Sequence, residues 1–445
     1  MRPHRFAMTD DQRTYLIETL GCKANLYDSQ RLAEALQDLG FRRAQEDERP
    51  DVCLVNTCTV TATADRKSRQ AAAHLARRYP QARVFVTGCY ASAFPDELRA
   101  VSGVEGVYGR GEWRALLEAA SGRAVAEGTL AGDFGVTSFA GRTRAFLKVQ
   151  EGCDAGCSYC ILPRVRGRPR SRALSDAAAE ARRLVEAGLP EIVLTGIHLG
   201  RYGRDLDAGV SLADLVAAVA ETPGLARLRL SSIEALEVDG ALLDAMRHPA
   251  VCPHLHLPLQ SGDADVLRRM NRPYAPAQFL EVVARARERL DRPAVTTDVM
   301  VGFPGEGDAA FENTAEVVRR ARFSRLHVFP FSPRPGTAAA GMDGRPAPQA
   351  VRERGVRLRE LGGDLAAGWA GGFVGEEARV LFERCRDGRL SGYTDRYVTL
   401  TAPGPADLAG RVASVLCIRA RGAALIGHLA ADSIHHDVTT STTDG

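Results

Sequence analysis

A chain of 445 residues is long enough for about three domains, and its 45% hydrophobic and 25% charged residues are typical of a globular protein. The net charge of +3 points to no class of partner. No apolar run reaches the length of a membrane span, and the polar first residues lack the apolar core of a signal peptide, so we expect no membrane association. Ten cysteines without an export signal indicate the reducing cytoplasm, where cysteines more often hold metal. Met1 and Met8 are both candidate starts.

Residues 13–121 alternate short apolar runs with helical patterns. The apolar runs predict four buried strands: Thr14–Leu20, Val52–Asn56, Arg83–Thr87 and Val104–Tyr108. The helical patterns predict three helices: Tyr27–Leu39, Ala62–Arg78 and Glu112–Ala120. This alternation predicts an α/β domain with a doubly wound parallel sheet and helices on both faces. The glycine-rich residues 122–144 are interpreted as a linker.

Three cysteines each lie just beyond a predicted strand of this domain: Cys22, Cys58 and Cys89. The carboxyl ends of parallel strands share one edge of the sheet, so we expect these thiols to converge. One hypothesis is a metal cluster with three thiolate ligands, and the alternative is three independent buried cysteines. Cys53, inside its strand, fits the second description. Cys252, Cys385 and Cys417 show no partner spacing and are interpreted as structural.

The most informative motif follows the linker, where Cys153, Cys157 and Cys160 have the spacing C-x3-C-x2-C. Three thiolates can hold three irons of a 4Fe–4S cluster and leave the fourth iron open to a small molecule. A zinc site completed by a distant ligand is the alternative.

Five arginines crowd the ten residues after this motif: Arg164, Arg166, Arg168, Arg170 and Arg172. A solvated basic loop is one interpretation. A loop that contacts phosphates or a carboxylate of a substrate is the other.

Residues 145–368 repeat the strand–helix alternation six times. The candidate strands are Ala145–Gln150, Glu191–Thr195, Arg227–Ser231, His254–Leu259, Val295–Val301 and Arg325–Phe329. Helical patterns such as Asp176–Glu186 and Ala309–Arg320 follow them. Six units predict an incomplete (β/α)6 barrel rather than a closed eight-stranded one. Four histidines in or beside these strands are interpreted as packed or hydrogen-bonded core residues: His198, His254, His256 and His327.

Residues 372–432 are rich in glycine and β-branched residues. Three short runs, Ala378–Phe382, Tyr397–Leu400 and Arg411–Leu416, predict a small antiparallel β-barrel. The polar residues 433–445 are interpreted as a disordered tail.

Four motifs together resemble the radical S-adenosylmethionine (SAM) methylthiotransferases: Glu18–Gln30, Val55–Cys58, Thr87–Tyr90 and Glu151–Cys160. With a SAM barrel and a terminal TRAM-like RNA-binding barrel, the resemblance covers nearly the whole chain. It implies two 4Fe–4S clusters. One, on Cys153, Cys157 and Cys160, cleaves SAM to a 5′-deoxyadenosyl radical. The other, on Cys22, Cys58 and Cys89, carries the sulfur that a second SAM methylates before its insertion at an unactivated C–H bond.

The resemblance also implies where SAM binds. The glycine turn Val301–Glu306 follows the fifth barrel strand, where the superfamily brings backbone close to the SAM adenine, although such a turn is also an ordinary strand-to-helix connection. Strand-end positions in a barrel often carry function. The expected cofactor-binding residues are Tyr159, Ser232, Glu234, Gln260, Asp298 and Gly302.

The family contains three substrate classes, two of them N6-modified adenosines beside the tRNA anticodon and one an aspartate of a ribosomal protein. Four segments are most similar in sequence to the threonylcarbamoyladenosine branch: Thr19–Asn25, Glu151–Cys157, Leu194–Gly200 and Phe329–Thr337. Gly156 and His198 depart from the family pattern. We therefore expect methylthiolation of carbon 2 of N6-threonylcarbamoyladenosine in the tRNA anticodon loop, at position 37. Modification of isopentenyladenosine or of the aspartate is the alternative.

The expected partners besides tRNA are a low-potential electron donor and a source of sulfur. Two hypotheses from other classes remain. In one, the N-terminal domain of a radical SAM enzyme binds a flavin or a partner and its cysteines are structural. In the other, the chain is a non-catalytic iron–sulfur RNA-binding protein that uses its terminal barrel.

Overall fold

The computed structural model describes residues 12–127, 129–130, 135–139, 141–206 and 209–430, and the chain divides into two compact units. The first unit contains the chain up to Thr137 together with two later segments, Cys160–Arg168 and Ser332–Gly336. The second contains Ser138–Tyr159, Pro169–Phe331 and the chain from Thr337. The candidate starts Met1 and Met8 and the predicted tail lie outside the described residues.

A five-stranded parallel sheet forms the first unit. Its strands are β1 Thr14–Thr19, β2 Arg42–Arg43, β3 Val52–Thr57, β4 Arg83–Gly88 and β5 Val104–Val107. Its helices are α1 Lys23–Asp38, α2 Ala62–Arg78, α3 Cys89–Ala93, α4 Pro95–Arg99, α5 Trp113–Ser121 and, from the later segment, α6 Leu162–Arg166. The strand order β2-β1-β3-β4-β5, with every pairing parallel, confirms the doubly wound sheet. The order reverses between β1 and β3, where such sheets bind ligands.

Alternation along the central strands builds a core on each face of this sheet. Leu54 and Phe85 belong to a buried cluster that includes apolar residues of α1 and α5. Cys53, Val55 and Val86 belong to a second buried cluster with residues of α2 and α4. Because side chains alternate with period two, one run of buried residues serves both faces.

Capping residues mark where α1 and α2 of this unit begin. α2 has the predicted bounds, and the hydroxyl of Thr61 accepts from the N–H of Ala64 at 3.1 Å at its start. α1 begins at Lys23, four residues before its predicted start, with Cys22 as an extended N-cap. Its first turns bury polar Asn25 and Asp28, which hide the apolar periodicity.

The second unit opens with an incomplete barrel. Its strands are β6 Arg144–Glu151, β7 Arg170–Ser171, β8 Glu191–Gly196, β9 Arg227–Leu230, β10 His254–His256, β11 Ala294–Val301 and β12 Arg325–Pro330. Its helices are α7 Leu174–Glu186, α8 Leu212–Ala220, α9 Gly240–Ala245, α10 Ala264–Arg269, α11 Pro276–Arg289, α12 Asp308–Ala321 and α13 Pro348–Gly371.

The strands of this barrel pair as two sheets, β7-β6-β8-β9 and β10-β11-β12. Single parallel bridges, such as Leu228 with Val251, join β9 to the chain at β10. The six predicted strands are parallel throughout, which confirms the incomplete barrel. The short antiparallel β7 is an addition that the sequence did not indicate. No helix in the described ranges is both long enough and apolar enough to cross a bilayer.

Five strands after α13 close into the small barrel that the sequence predicted: β13 Glu377–Arg386, β14 Arg389–Thr394, β15 Thr399–Pro403, β16 Val412–Arg421 and β17 Ala424–Leu429. The order is β13-β14-β15-β17-β16. The predicted small antiparallel barrel is confirmed, with one exception, because β15 and β17 run parallel. The core of this barrel includes Phe382, Leu400 and Val415.

Buried charged residues of β8 and β9 connect the incomplete barrel to the small barrel. Glu191 is buried and pairs with Arg229 at 3.0 Å and with Arg227 at 3.6 Å. Arg227 and Arg229 also donate to the backbone carbonyls of Tyr393 and Asp395, each at 2.9 Å. Burial alone would raise the pKa of Glu191, but the adjacent arginines hold it below its usual range.

The segment expected to be a linker, residues 122–144, packs on both units where it is described. Val125 joins the core of the first unit, and Val136 is also buried. Phe139 packs edge-on against Phe146 of β6, with ring centroids 5.8 Å apart. The connection therefore adds buried surface to the units that it joins.

Candidate active site

The C-x3-C-x2-C motif forms the loop directly after β6. Cys153, Cys157 and Cys160 are all half-buried. Gly156, one of the departures from the resembling family, has φ +69°, a conformation that favours glycine, and its carbonyl accepts from Asn271 at 2.8 Å. A Cβ at this position would lie 3.2 Å from the Asn271 amide nitrogen, so the glycine fits both the turn and this contact.

His198, the other departure, contacts a predicted cluster ligand. Its Nδ1 lies 3.4 Å from the Cys153 sulfur, and its Nε2 lies 2.9 Å from a carboxylate oxygen of Glu237. Burial would lower the pKa of His198, but Cys153 and Glu237 outweigh it and raise the pKa to about 9. The sequence interpretation as a buried, hydrogen-bonded histidine is correct for its environment, but it missed the contact with Cys153. The available signal was its place just after β8.

Arg272 makes the corresponding contact with a second cysteine of the loop. Its Nη1 lies 3.5 Å from the Cys157 sulfur and 2.9 Å from Glu234 Oε1. The guanidinium is almost fully buried, so a thiolate at Cys157 would face a fixed positive charge. Sequence reasoning missed Arg272, which lies 115 residues from Cys157 and in no recognised motif.

Glu234, predicted to bind the cofactor, is thus paired with Arg272. Ser232, its neighbour in the prediction, is exposed beside β10, where it forms a bridge with His256. Tyr159 packs edge-on against Phe303 of the predicted glycine turn, with centroids 6.4 Å apart. These positions bring Tyr159 to the turn at the end of β11.

Gly302 serves the packing of that turn. It has φ +80°, and a Cβ there would lie 2.6 Å from Val351 of α13. Its N–H faces the Glu306 carboxylate at 3.2 Å. The glycine is therefore explained by contact with α13, and a close approach to an adenine is not needed to account for it.

Two buried polar atoms at the strand ends have no hydrogen-bond partner among the described residues: Ser231 Oγ and Gln260 Oε1. Ser231 directly follows β9, and Gln260 lies after β10 with φ +60°. Buried polar groups are usually paired, so unused ones at this edge fit a polar ligand such as the amino-acid part of SAM. This observation supports the predicted Gln260 and moves attention from Ser232 to its neighbour Ser231.

Asp298, the remaining predicted cofactor residue, lies between two histidines of adjacent strands. Its carboxylate is 3.3 Å from His256 Nε2 and 3.1 Å from His327 Nδ1. Burial would raise the pKa of Asp298, but hydrogen bonds from both histidines outweigh it and hold the pKa below its usual range. The three ligand atoms lie within 4.8 Å of one another, close enough to hold a metal ion. The ion pairs of Asp298 with the two histidines also account for this arrangement without a metal ion.

At the edge of the first unit, the three strand-end cysteines lie near enough for the charges of Cys22 and Cys89 to act on Cys58. Cys22 caps α1, Cys58 follows β3, and Cys89 begins α3 after β4. Burial is the largest cause that raises the pKa of Cys58 to about 12, and the charges of Cys22 and Cys89 act in the same direction. Cys58 and Cys89 are buried, whereas Cys22 is exposed. Thiols that repel one another's charge are stable as thiolates when a metal shares them, since ligation releases their protons.

Gly21 makes room for these thiols. It has φ +105°, and a Cβ there would lie 2.8 Å from the Cβ and 3.0 Å from the sulfur of Cys58. The donor set and this cradle fit an iron–sulfur cluster. Cys53 differs in position, because its side chain enters the core of the sheet.

The five arginines of the loop separate into two groups. Arg164, Arg168 and Arg170 are exposed, whereas Arg166 and Arg172 are buried. Arg172 pairs with Glu180 at 2.6 Å, and Arg166 pairs with Asp28 at 3.3 Å. The two buried arginines pair with the protein's own carboxylates. The candidates for a substrate contact are therefore the exposed Arg164, Arg168 and Arg170.

Comparison with known proteins agrees with this geometry. Residues 14–109 match the model described as "Uncharacterized protein family UPF0004", and residues 147–318 match the Radical SAM superfamily. The chain is 36% identical over 425 residues to "Threonylcarbamoyladenosine tRNA methylthiotransferase MtaB" of Bacillus subtilis, covering 92% of this chain and 94% of that protein. It is 38% identical to the protein of the same name from Thermotoga maritima, covering 87% and 90%.

The chain belongs to the radical SAM methylthiotransferase family. It is also 37% identical to a "tRNA-2-methylthio-N(6)-dimethylallyladenosine synthase" of Parafrankia, covering 88% of this chain and 84% of that protein. The radical SAM methyltransferase TsrM from Kitasatospora setae, solved with cobalamin and a [4Fe-4S] cluster, superposes with a TM-score of 0.54 at 17% identity, covering 85% and 80% of the two chains. That likeness shows a shared fold.

Membership of this radical SAM methylthiotransferase family establishes a transferase with an iron–sulfur cluster and SAM as cofactors. The non-catalytic hypothesis is therefore excluded. The zinc interpretation of Cys153, Cys157 and Cys160 loses its basis, because the Radical SAM match begins at residue 147 and includes them.

Proposed function

We propose that this enzyme transfers a methylthio group to carbon 2 of N6-threonylcarbamoyladenosine in tRNA, at position 37 beside the anticodon. The observation that carries the proposal is the near full-length identity to proteins named for that activity in two distant bacteria. The dimethylallyladenosine synthases are the second candidate, because their identity to this chain is as high.

We assign two 4Fe–4S clusters, one to Cys153, Cys157 and Cys160 and one to Cys22, Cys58 and Cys89. When bound, the first cluster and SAM supply the one-electron chemistry that breaks an unactivated C–H bond, and the second supplies the sulfur. The overall reaction also needs a low-potential electron donor and a source of sulfur. An ordinary acid–base pair could not perform this step, because the carbon has no acidic proton.

Cationic side chains lie beside two of the first cluster's thiolate ligands and offset their negative charge. His198 faces the Cys153 sulfur and Arg272 faces the Cys157 sulfur, so these two thiolates each have a cationic neighbour. Glu237 and Glu234 in turn fix these two cations. Hydrogen bonds to ligand sulfur orient the ligand and shift a cluster's reduction potential.

The threonyl part of the proposed substrate ends in a carboxylate, whereas the isopentenyl group is apolar. A site that selects the carboxylate needs a fixed cation, and a guanidinium can bind it through two hydrogen bonds. The exposed arginines of the loop after Cys160, Arg164, Arg168 and Arg170, are the candidates.

Mass spectrometry of tRNA nucleosides from a deletion strain tests the substrate. We expect N6-threonylcarbamoyladenosine to accumulate without its methylthio derivative, while 2-methylthio-isopentenyladenosine is unchanged. Return of the product with the wild-type gene, and no return with a Cys157→Ala gene, ties the loss to this enzyme. Loss of the isopentenyl product alone would assign the protein to the sister branch. Normal levels of both tRNA products would reject the proposal and direct the search to the ribosomal-protein aspartate.

A further inference from the structure

Arg166 of α6 is a fully buried arginine that contacts a predicted ligand of the second cluster. Its Nε lies 3.2 Å from the sulfur of Cys89. Its two terminal nitrogens have partners on α1: Nη1 lies 3.3 Å from Asp28 Oδ2, and Nη2 donates to the side-chain oxygen of Asn25. α1 thus orients the guanidinium so that one N–H meets the sulfur.

A second arginine contributes charge at the same place. Arg110 Nη2 lies 3.2 Å from the same Asp28 oxygen. Burial raises the pKa of Cys89, and Arg166 and Arg110 both act in the opposite direction. Two guanidiniums fixed by Asp28 therefore act on the buried Cys89.

A merely structural role for Arg166 would be to fix the segment Cys160–Arg168 within the first unit. Its pairing with Asp28 is sufficient for that role. The contact between Nε and the sulfur is additional, and its effect depends on the charge of the sulfur. A thiolate that ligates iron keeps negative charge, and a reduced cluster carries more of it than an oxidised one.

We propose that Arg166 is a positioning residue that raises the reduction potential of the second cluster by donating a hydrogen bond to the Cys89 thiolate. This inference rests on the proposed cluster at Cys22, Cys58 and Cys89. Net charge and hydrogen bonds to sulfur are among the factors that set cluster potentials. The donor lies six residues after Cys160, so one short segment carries a ligand of the first cluster and the donor to the second.

The test uses the full-length protein with Cys153, Cys157 and Cys160 all changed to alanine, so that only the second cluster can assemble. After anaerobic reconstitution, iron is counted and the potential is measured by a redox titration followed by electron paramagnetic resonance. We expect Arg166→Gln to keep about four irons and to have a more negative potential than its parent. Arg166→Lys, which keeps the charge but not the planar fork, should fall between the two.

Arg164→Gln is the matched control, because Arg164 lies on the same helix with its side chain exposed. It should not change the potential. An unchanged potential in Arg166→Gln with full iron would overturn the inference. If Arg166→Gln loses its iron, Arg166→Lys decides: a more negative potential supports the role, and an unchanged one rejects it. A parent protein that binds no iron would instead reject the second cluster itself.

Discussion

Cys53 and Cys58 lie five residues apart, and their positions relative to β3 give them different environments. Cys53 is inside the strand and packs in the core between the sheet and its helices. Cys58 is one residue beyond the strand, where the charges of Cys22 and Cys89 reach it. Both thiols are buried with raised pKa values, so burial alone does not distinguish a ligand from a core residue.

We predict that Cys58→Ala loses the second cluster and that Cys53→Ala keeps it. The iron content should fall from about eight to about four in Cys58→Ala, since a cubane that loses one of three thiolates is labile. SAM cleavage without tRNA should continue in both proteins, because the first cluster is untouched. Cys53→Ala should cost only about 1 kcal/mol of stability.

Iron and sulfide analysis with an assay for 5′-deoxyadenosine measures both outcomes. Loss of four irons in Cys53→Ala, with Cys58→Ala unaffected, would reverse the ligand assignment.

At the residue scale, the sequence indicated the cysteines but not the groups that surround them. A cysteine just beyond a predicted strand can be placed because parallel strands end at one edge. Arg166 and Arg272 meet cysteines 77 and 115 residues away, and nothing local in the sequence distinguishes them from the other arginines. The arginine-rich loop was recognised, but the sequence could not show that Arg166 is buried and Arg164 is exposed.

Among the elements, the turn from β4 into α3 depends on a single glycine. Gly88 has φ +100° and ψ −164°, a conformation that only glycine adopts readily. A Cβ there would lie 2.4 Å from Asn56 Oδ1 and 2.6 Å from the backbone of Thr57. This turn places Cys89 at the start of α3, so the glycine positions a cluster ligand.

Gly88→Ala should therefore destabilise the protein by roughly 3 kcal/mol or more, because strain and backbone overlap add. Its iron content should fall as well, since Asn56 and Thr57 precede Cys58. Gly122→Ala is the control, because Gly122 has φ +69° but open space around its Cα, and its cost should be about 1 to 2 kcal/mol. Chemical denaturation of the iron-free proteins gives both values. Equal losses would show that backbone overlap at Gly88 has no consequence.

Element prediction succeeded where apolar runs were long and failed where they were interrupted. The β3, β4 and β8 runs consist almost entirely of buried residues, and each strand was placed within a residue. β14, whose sequence is Arg-Leu-Ser-Gly-Tyr-Thr, and β17 were missed, because glycine and polar residues interrupt their apolar pattern. Closure of the barrel pairs the backbone groups of these strands with their neighbours. A local sequence pattern carries no information about that pairing.

On the scale of the whole molecule, the terminal barrel presents a basic groove. Arg384, Arg386 and Arg389 are exposed there and line one cavity, whose single carboxylate among the described lining residues is that of Asp387. Guanidiniums spaced along a groove suit the phosphates of a nucleic acid. The groove is therefore our candidate for sequence-independent tRNA binding.

Changing Arg384, Arg386 and Arg389 together to glutamine should weaken tRNA binding uniformly across tRNA species. The slope of log affinity against log salt should become shallower by about 2, since each lost phosphate contact removes about 0.7 to 0.9. Binding titrations over a range of salt concentrations measure it, with the exposed Arg182, Arg247 and Arg320 changed together as the charge-matched control. A slope that changes equally in both triple variants would mean that net charge, not this groove, determines binding.

The first unit includes two segments from later parts of the chain, so part of it is synthesised well after its sheet. Asp65 is buried with Arg334 as its partner, and Asp28 is buried with Arg166 as one of its two arginine partners. Arg334 leaves the ribosome roughly two hundred residues after the fifth helix of the sheet, a delay of ten seconds or more at ordinary elongation rates. During that interval the emerging sheet holds a carboxylate without its counter-ion, which favours a loose intermediate over a finished domain. The segment matched by the first family model thus receives two of its buried ion-pair partners from later parts of the chain, and we expect iron loading at its cysteines to follow release of the complete chain.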